Sequence, residues 1–447
     1  MIRKRFGLVL ICIISCFASV VKAADVEVED SVSFTLEEAI IYAKQHNRDV
    51  TVADLAQQIA RRQTQEYVAT GLPQINAQFA QDYNYKLGVM VMNTPEGPQH
   101  ITMGQPYSGN STVQLSQMLF DGSFFVGLKA ARTFQELSVK QETQTEIDVV
   151  ELVTKAYFLV LVNEESRQAI QRNHERLAQL LEETDKMFQN GFAEKMDVDR
   201  IKVQLNNAEV ELNQNKQETE VSRMMLKFQM GFPLEYEMRL SEDLDSQGYQ
   251  EVLAESMNEF SYQNRIEYSI MSTQERLKHL EIKENNSRYF PKIDLIASYG
   301  YLNFGEDFRS SFDVSKWSAQ GAIGLKMTVP VFDGLYKHRT HQKMKLERQQ
   351  LMVQQLALKD NITIEVKQSQ NKLVTNVRTV EIQKDNMELA QEVYRHAVAK
   401  YQRGIGSNLE VIEADGDLKQ AQNNYYQALY SALVAKVELQ KAIGALN

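Results

Sequence analysis

Few residues of this 447-residue chain are spaced to do chemistry. His338 and His341, one helical turn apart, have the spacing of two metal ligands, but no third ligand accompanies them and they read as surface residues. Met90, Met92, Met103 and His100 gather in one loop and are donors that suit soft metals, although loop composition accounts for them equally well. Both cysteines, Cys12 and Cys16, fall in the first 23 residues. If that segment is cleaved, no thiol nucleophile, disulfide or thiolate metal site remains. No phosphate-binding glycine loop occurs, and no catalytic, cofactor-binding or metal-binding residue is assigned. Glu410 and Glu413, three apart, share a helix face. Read alone, that pair is the ordinary solvated face of an acidic chain.

The elements that would carry such residues are unusually long. The chain has only 7 Pro and 20 Gly, while 43% hydrophobic and 24% charged residues are ordinary for a packed protein and argue against disorder. A mean hydropathy of −0.40 argues against a bundle of transmembrane helices. The formal charge is −10, and it falls by four to −14 if the first 23 residues, with Arg3, Lys4, Arg5 and Lys22, are removed. Such a chain repels nucleic acid.

The N-terminus reads as an export signal, residues 1–23: a basic start, an apolar run from Phe6 to Ile14, and Val21 and Ala23 before a cut at Ala24. The run is too short to span a bilayer, so the mature chain lies outside the cytoplasm. Ile13, Ile14, Ser15 and Cys16 also resemble a lipobox, which would make Cys16 a lipidated N-terminus instead.

The sequence repeats itself. Leu72 to Tyr83 recurs as Phe290 to Tyr301, with Pro73 matching Pro291. Phe120-Asp121-Gly122 recurs as Phe332-Asp333-Gly334, and Phe188, Gly191 and Asp197 recur as Tyr401, Gly404 and Glu410. Leu226 and Gly231 fall on Leu439 and Gly444. Four landmarks in one order describe a duplicated unit, 24–233 and 234–447.

Each unit opens with a helix, and Thr35 with Glu38 three residues on forms a capping box ahead of a run from Leu36 to Thr70. Tyr262 to Ser287 is its partner. Two strands follow in each unit, at about 74–85 and 110–120 and at about 291–302 and 317–330, each alternating apolar and polar residues. Their length of roughly ten residues suits a tilted membrane strand, and Tyr83, Tyr85, Tyr299, Tyr301 and Trp317 gather near their ends as an interfacial belt does. A soluble sheet with one face on a core would alternate likewise, but no apolar segment of matching size is present to cover these strands. The linkers Lys86 to Gly109 and Asn303 to Lys316 read as long polar outer loops. After the second strand of each unit comes a proline-free helix of roughly 65 residues, about 100 Å, which no globular domain could bury within itself. A Gly-containing turn then reverses it into a second helix, giving hairpins at about 123–230 and 335–443. Four strands cannot close a membrane barrel, so the chain must oligomerise.

In its duplication, its Pro73 and Pro291 strand openings, its Phe-Asp-Gly steps and its two tip motifs, the whole mature chain resembles the TolC-like outer membrane efflux proteins. The fold this implies is mainly α with a membrane β-barrel. Three chains give four strands each to one twelve-stranded barrel, and their helices form a long α-helical periplasmic barrel. The resemblance further implies a homotrimer in outer membrane lipid, extending into the periplasm. It would act as the passive exit duct of a tripartite efflux or type I secretion system, not as an enzyme. A periplasmic adaptor and, through it, an inner membrane transporter are the implied partners.

The resemblance also singles out a gate, at Tyr401, Glu410 and Glu413, with Asp197 at the matching position of the first unit. In a trimer Glu410 and Glu413 would stack two rings of carboxylates whose repulsion favours cations, protonation or separation of the helices. The basic residue that often latches the family's tip is replaced here by Gly406. The turns around Gly191 and Phe192 and around Gly404, Ile405 and Gly406 are the expected adaptor-docking tips. The rival expectation is a secreted coiled-coil adhesive protein with a soluble β head.

Overall fold

The computed structural model describes residues 31–95, 97–242, 244 and 260–446. The export segment, with Cys12, Cys16 and the cut at Ala24, lies outside them. In chain order the elements are β1 (Ser31–Phe34), α1 (Leu36–His46), α2 (Arg48–Ala69), β2 (Gln74–Tyr83), β3 (Gly88–Thr94), β4 (Gly97–Met103), β5 (Tyr107–Asp121), α3 (Gly122–Gln189), α4 (Lys195–Met230) and β6 (Glu237–Leu240). The second half continues with α5 (Ile266–Ser287), β7 (Lys292–Gly305), β8 (Ser318–Thr328), α6 (Tyr336–Gln402) and α7 (Asn408–Ile443).

The long helices start where the Phe-Asp-Gly steps stand because each aspartate feeds an orphan backbone N–H of the first turn. Asp121 accepts from the Ser123 N–H at 2.9 Å and Asp333 from the Lys337 N–H at 3.1 Å. With no proline inside them, α3 and α6 then run for 68 and 67 residues, about 100 Å each. Both halves close alike. Asn47 donates to the Gln229 carbonyl at 2.6 Å in the first, and Arg265 donates to the Ala442 carbonyl at 2.8 Å in the second. Each acceptor lies two residues before a helix-ending glycine, Gly231 or Gly444, on which a Cβ would strike the backbone of His46 or Asn264. Different side chains thus make the same join in the two halves.

The opening helix differs from expectation. The Thr35 capping box is present, with Thr35 Oγ1 accepting from the Glu38 N–H at 3.2 Å. The expected single run to Thr70 is instead broken at Asn47, an extended residue that ends α1 and caps α2 through its own side chain. The core that fixes α1 lies around the middle of α3, where Tyr157 and Phe158 pack with Phe34, Leu226, Met230, Phe232 and Leu433. β1 and β6 pair in parallel beside it, a contact the sequence reading did not contain.

β2, β5, β7 and β8 form one antiparallel sheet in that order. The register sets Ile75, Ala77 and Phe79 across from Leu115, Val113 and Ser111. The same rows continue through Ala297, Tyr299 and Tyr301 to Ile323, Gly321 and Ala319. On the other face, Gln74, Asn76 and Gln78 align with Ser116, Gln114 and Thr112, then with Ile296, Ser298 and Gly300 and with Gly324, Ala322 and Gln320. A bulge between Met118 and Phe120 shifts the register, so that Phe120 lies opposite Ile293 on the apolar face. Every residue of β8 is exposed, including Ile323, Leu325 and Met327. No helix among the described residues is long and apolar enough to cross a membrane.

The linker expected as a plain polar loop between Lys86 and Gly109 instead holds a hairpin, β3 paired with β4. Its Val-Met-Val-Met run alternates between two apolar residue types rather than between apolar and polar ones, so it gave no amphipathic signal.

Candidate functional site

The two helical hairpins, α3 with α4 and α6 with α7, end side by side. Each long helix stops on a glycine with positive φ, Gly191 at 81° and Gly404 at 74°. At both, the next residue reaches back five positions: the Phe192 N–H donates to the Met187 carbonyl at 2.8 Å and the Ile405 N–H to the Lys400 carbonyl at 3.1 Å. These are paired Schellman caps, which an L side chain at the glycine would strain. They leave Phe192 and Ile405 projecting, 80% and 75% exposed. A groove of about 750 Å³ between the starts of α4 and α7 is lined by Met196, Val203, Leu409 and Ile412 together with Asp199 and Arg200.

Gly406 has no room for a side chain. A Cβ there would come 2.9 Å from the Lys400 Cβ and 3.0 Å from the Tyr401 nitrogen, so a basic latch cannot be built at this position without moving the turn. Another tether joins the two hairpins. Asn408, only 3% exposed, donates through Nδ2 to the Asp197 carbonyl oxygen at 2.9 Å and to its Oδ1 at 3.1 Å. The other Asp197 oxygen accepts from the Glu194 N–H at 3.2 Å, closing the cap of α4. Sequence reading missed Asn408, since an asparagine in the first turn of a helix gives no sign that it will be buried against another hairpin.

The structure separates the four expected gate residues. Glu410 and Glu413 both lie on the exposed face of α7. Glu410 occupies the first turn, where Ser407 caps the helix by accepting the Glu410 N–H at 3.2 Å and the helix dipole favours a carboxylate. Tyr401 does not join them in the chain. It is 6% exposed and packs with Leu180, Ile201, Tyr394, Val411, Ala414 and Leu418 in a core that binds all four helices at the tip. Burial pushes its phenol upward in pKa. The structure thus places Tyr401 in the tip core, away from the exposed face that carries Glu410 and Glu413. Asp197 is half-buried, with its carboxylate engaged in the cap and the Asn408 tether.

Two residues beyond Glu413, on the opposite side of α7, Asp415 points inward and is 2% exposed. Burial raises its carboxyl above the usual range, against the pull of Lys419 and Arg176. Further along the bundle, burial opposes ionisation of Glu151, but Lys155 and Lys441, each at 2.6 Å, outweigh it and hold the carboxyl below its usual range. Lys441 also reaches Asp148 at 2.6 Å, so one lysine ties α7 to α3. His338 is exposed, and among the described residues no three His, Cys, Asp or Glu side chains gather as a metal site.

Comparison with known proteins gives one family. Residues 40–231 and 274–445 match the model of the outer membrane efflux protein family. The fold is similar to that of CusC, at 18% identity and a TM-score of 0.73 over 92% of both chains. It is also similar to the outer membrane protein VceC of Vibrio cholerae, at 16% identity and a TM-score of 0.70 over 92% of this chain and 96% of that one. The Campylobacter jejuni outer membrane channel CmeC shares 16% identity, with a TM-score of 0.70 over 92% of this chain and 86% of the other. No curated protein matches the sequence.

Proposed function

Because the chain belongs to the outer membrane efflux protein family, we propose that it is the exit duct of a tripartite efflux or secretion assembly, a homotrimer conducting substrates passively outward. It lies in the outer membrane with its large helical part in the periplasm, which removes the adhesive coiled coil with a soluble head. One observation carries the duct reading. Among the described residues, the four-stranded sheet has one apolar and one polar face, no cover on either, and two unpaired edges at β2 and β8. In lipid those edges must be paired, and three such sheets supply twelve strands, enough to close a barrel around a polar lumen.

In this reading the duplicated units, 24–233 and 234–447, each contribute two strands and one hairpin, and the hairpins continue the barrel as a tunnel. Glu410 and Glu413 narrow its far end with two rings of carboxylates, while Asn408 and Asp197 set the position of the helices that carry them. Phe192 and Ile405 offer a periplasmic adaptor two projecting apolar side chains on stiff turns. The adaptor joins the duct to an inner membrane transporter that supplies the energy, and the duct itself does no covalent chemistry.

The test is single-channel conductance in planar bilayers for the wild type and for Glu410→Ala/Glu413→Ala. A small cation-selective conductance that grows and loses selectivity in the double variant is expected. An unchanged conductance would move the gate elsewhere, and membrane-integrated protein without any channel would end the duct reading.

A further inference from the structure

Glu410 and Glu413 face solvent, but the next acid of α7 does not. Asp415 is buried, and its neighbours along α7, Ala414 and Leu418, belong to the core that binds the four helices at the tip. All four helices bring polar groups towards it. Asn173 and Arg176 come from α3, Glu211 from α4, Tyr394 from α6 and Lys419 from the next turn of α7.

The cations among these groups are engaged elsewhere. Lys419 Nζ is 4.0 Å from Asp415 Oδ2 but 3.4 Å from Glu211 Oε2, so it lies nearer to the other acid. Arg176 donates to Asn173 Oδ1 at 3.1 Å, and its guanidinium lies over the Tyr394 ring, 5.5 Å from the centroid. Asp415 Oδ1 and Arg176 Nε are both buried with no hydrogen-bond partner among the described residues. A buried carboxylate is stable only when it is paired and fully hydrogen-bonded. Here one oxygen goes without, and a proton would remove the charge without displacing any packed side chain.

We propose that Asp415 is a proton-binding site that regulates the tip: with the proton bound the four helices stay packed, and its loss leaves a poorly paired charge among them that favours their separation. The regulatory role rests on reading the tip as the gate of the duct. Burial raises the carboxyl above its usual range, so the packed tip holds the proton more firmly than an open tip in which water reaches Asp415. Packing is therefore fully favoured below the ordinary carboxylate range and loses that contribution as pH rises through the raised value. Rings of Glu410 and Glu413 would repel one another over the same rise, and separate variants distinguish the two causes.

Amide hydrogen exchange of α3 and α7 around Asn173 and Asp415, corrected for the intrinsic pH dependence of exchange, tests this in the full-length detergent-solubilised protein. Between about pH 5 and about pH 8, opening of the tip should become about tenfold more frequent for each unit by which the carboxyl is raised. Asp415→Asn, which keeps the shape without the charge, should hold exchange at its low-pH level throughout, and Glu410→Ala/Glu413→Ala should still show the rise. If Asp415→Asn does not fold, Lys419→Met, which removes a facing cation, is expected to move the midpoint of the rise to higher pH. No rise in the wild type, the same rise in Asp415→Asn, loss of the rise in Glu410→Ala/Glu413→Ala, or an unmoved midpoint in Lys419→Met would each overturn the proposal. The expected exchange in a protein that forms no channel in planar bilayers would end the duct reading and leave the proton site in place.

Discussion

At the scale of single residues, the tip is governed by who is buried. A motif of aromatic, glycine and two acids invites one role for all of its members, yet Tyr401 is core, Glu410 and Glu413 face solvent, and Asp197 is engaged with Asn408. The tether calls for a direct test because it joins the two hairpins next to Gly406, where a side chain has no room. Asn408→Ala removes both donations to Asp197 and should cost about 1 kcal/mol of the contact between hairpins, in line with a typical buried hydrogen bond. Under the duct reading it should also raise single-channel conductance, as the helices bearing Glu410 and Glu413 separate more readily. A variant with wild-type conductance and wild-type thermal unfolding would show that Asn408 holds nothing shut.

At the scale of elements, the two hairpins solve one problem twice. Both end in the same cap with a left-handed glycine, both present an exposed apolar residue just after it, and both begin their return helix with a carboxylate three residues from the cap. The return helices nevertheless differ: α7 carries the exposed acidic pair, whereas α4 uses its Asp197 internally. We expect Phe192→Arg and Ile405→Arg, which keep the turns but replace the projecting apolar groups with charge, to abolish copurification of a periplasmic adaptor while the oligomer stays intact on native gels. Retained copurification would place docking away from the turns.

At the scale of the whole molecule, the sheet makes sense only in company. An uncovered sheet whose apolar face includes Ile323, 77% exposed, would aggregate in water. In lipid that same face is the stable one. The two faces of β8 should therefore respond oppositely to one substitution. Ile323→Lys places a charge on the lipid side and should destabilise the barrel by roughly 2–4 kcal/mol if it lies near the bilayer midplane. The adjacent Ala322→Lys points to the polar side and should be tolerated. Carbonate extraction and the heat-sensitive mobility of the oligomer in SDS gels would distinguish them, and equal behaviour of the two would refute the assignment of faces.

Much of this architecture is legible in the sequence because it follows from periodicity and from the positions of breakers. Alternation marks β2, β5, β7 and β8, the scarcity of proline marks α3 and α6, and Thr35 with Glu38 marks the start of α1, since each is a local consequence of backbone geometry. The β3–β4 hairpin was hidden because the Val-Met-Val-Met run of β3 is apolar on both faces, and the break at Asn47 because one of its contacts, a bond to the Gln229 carbonyl, lies 182 residues away. Only the tertiary structure decided which members of the tip motif are buried, that Asn408 joins two hairpins, and that Met90, Met92 and Met103 share a face while His100 does not. Sequence spacing fixes which residues are neighbours along an element, but burial and convergence depend on packing between elements distant along the chain.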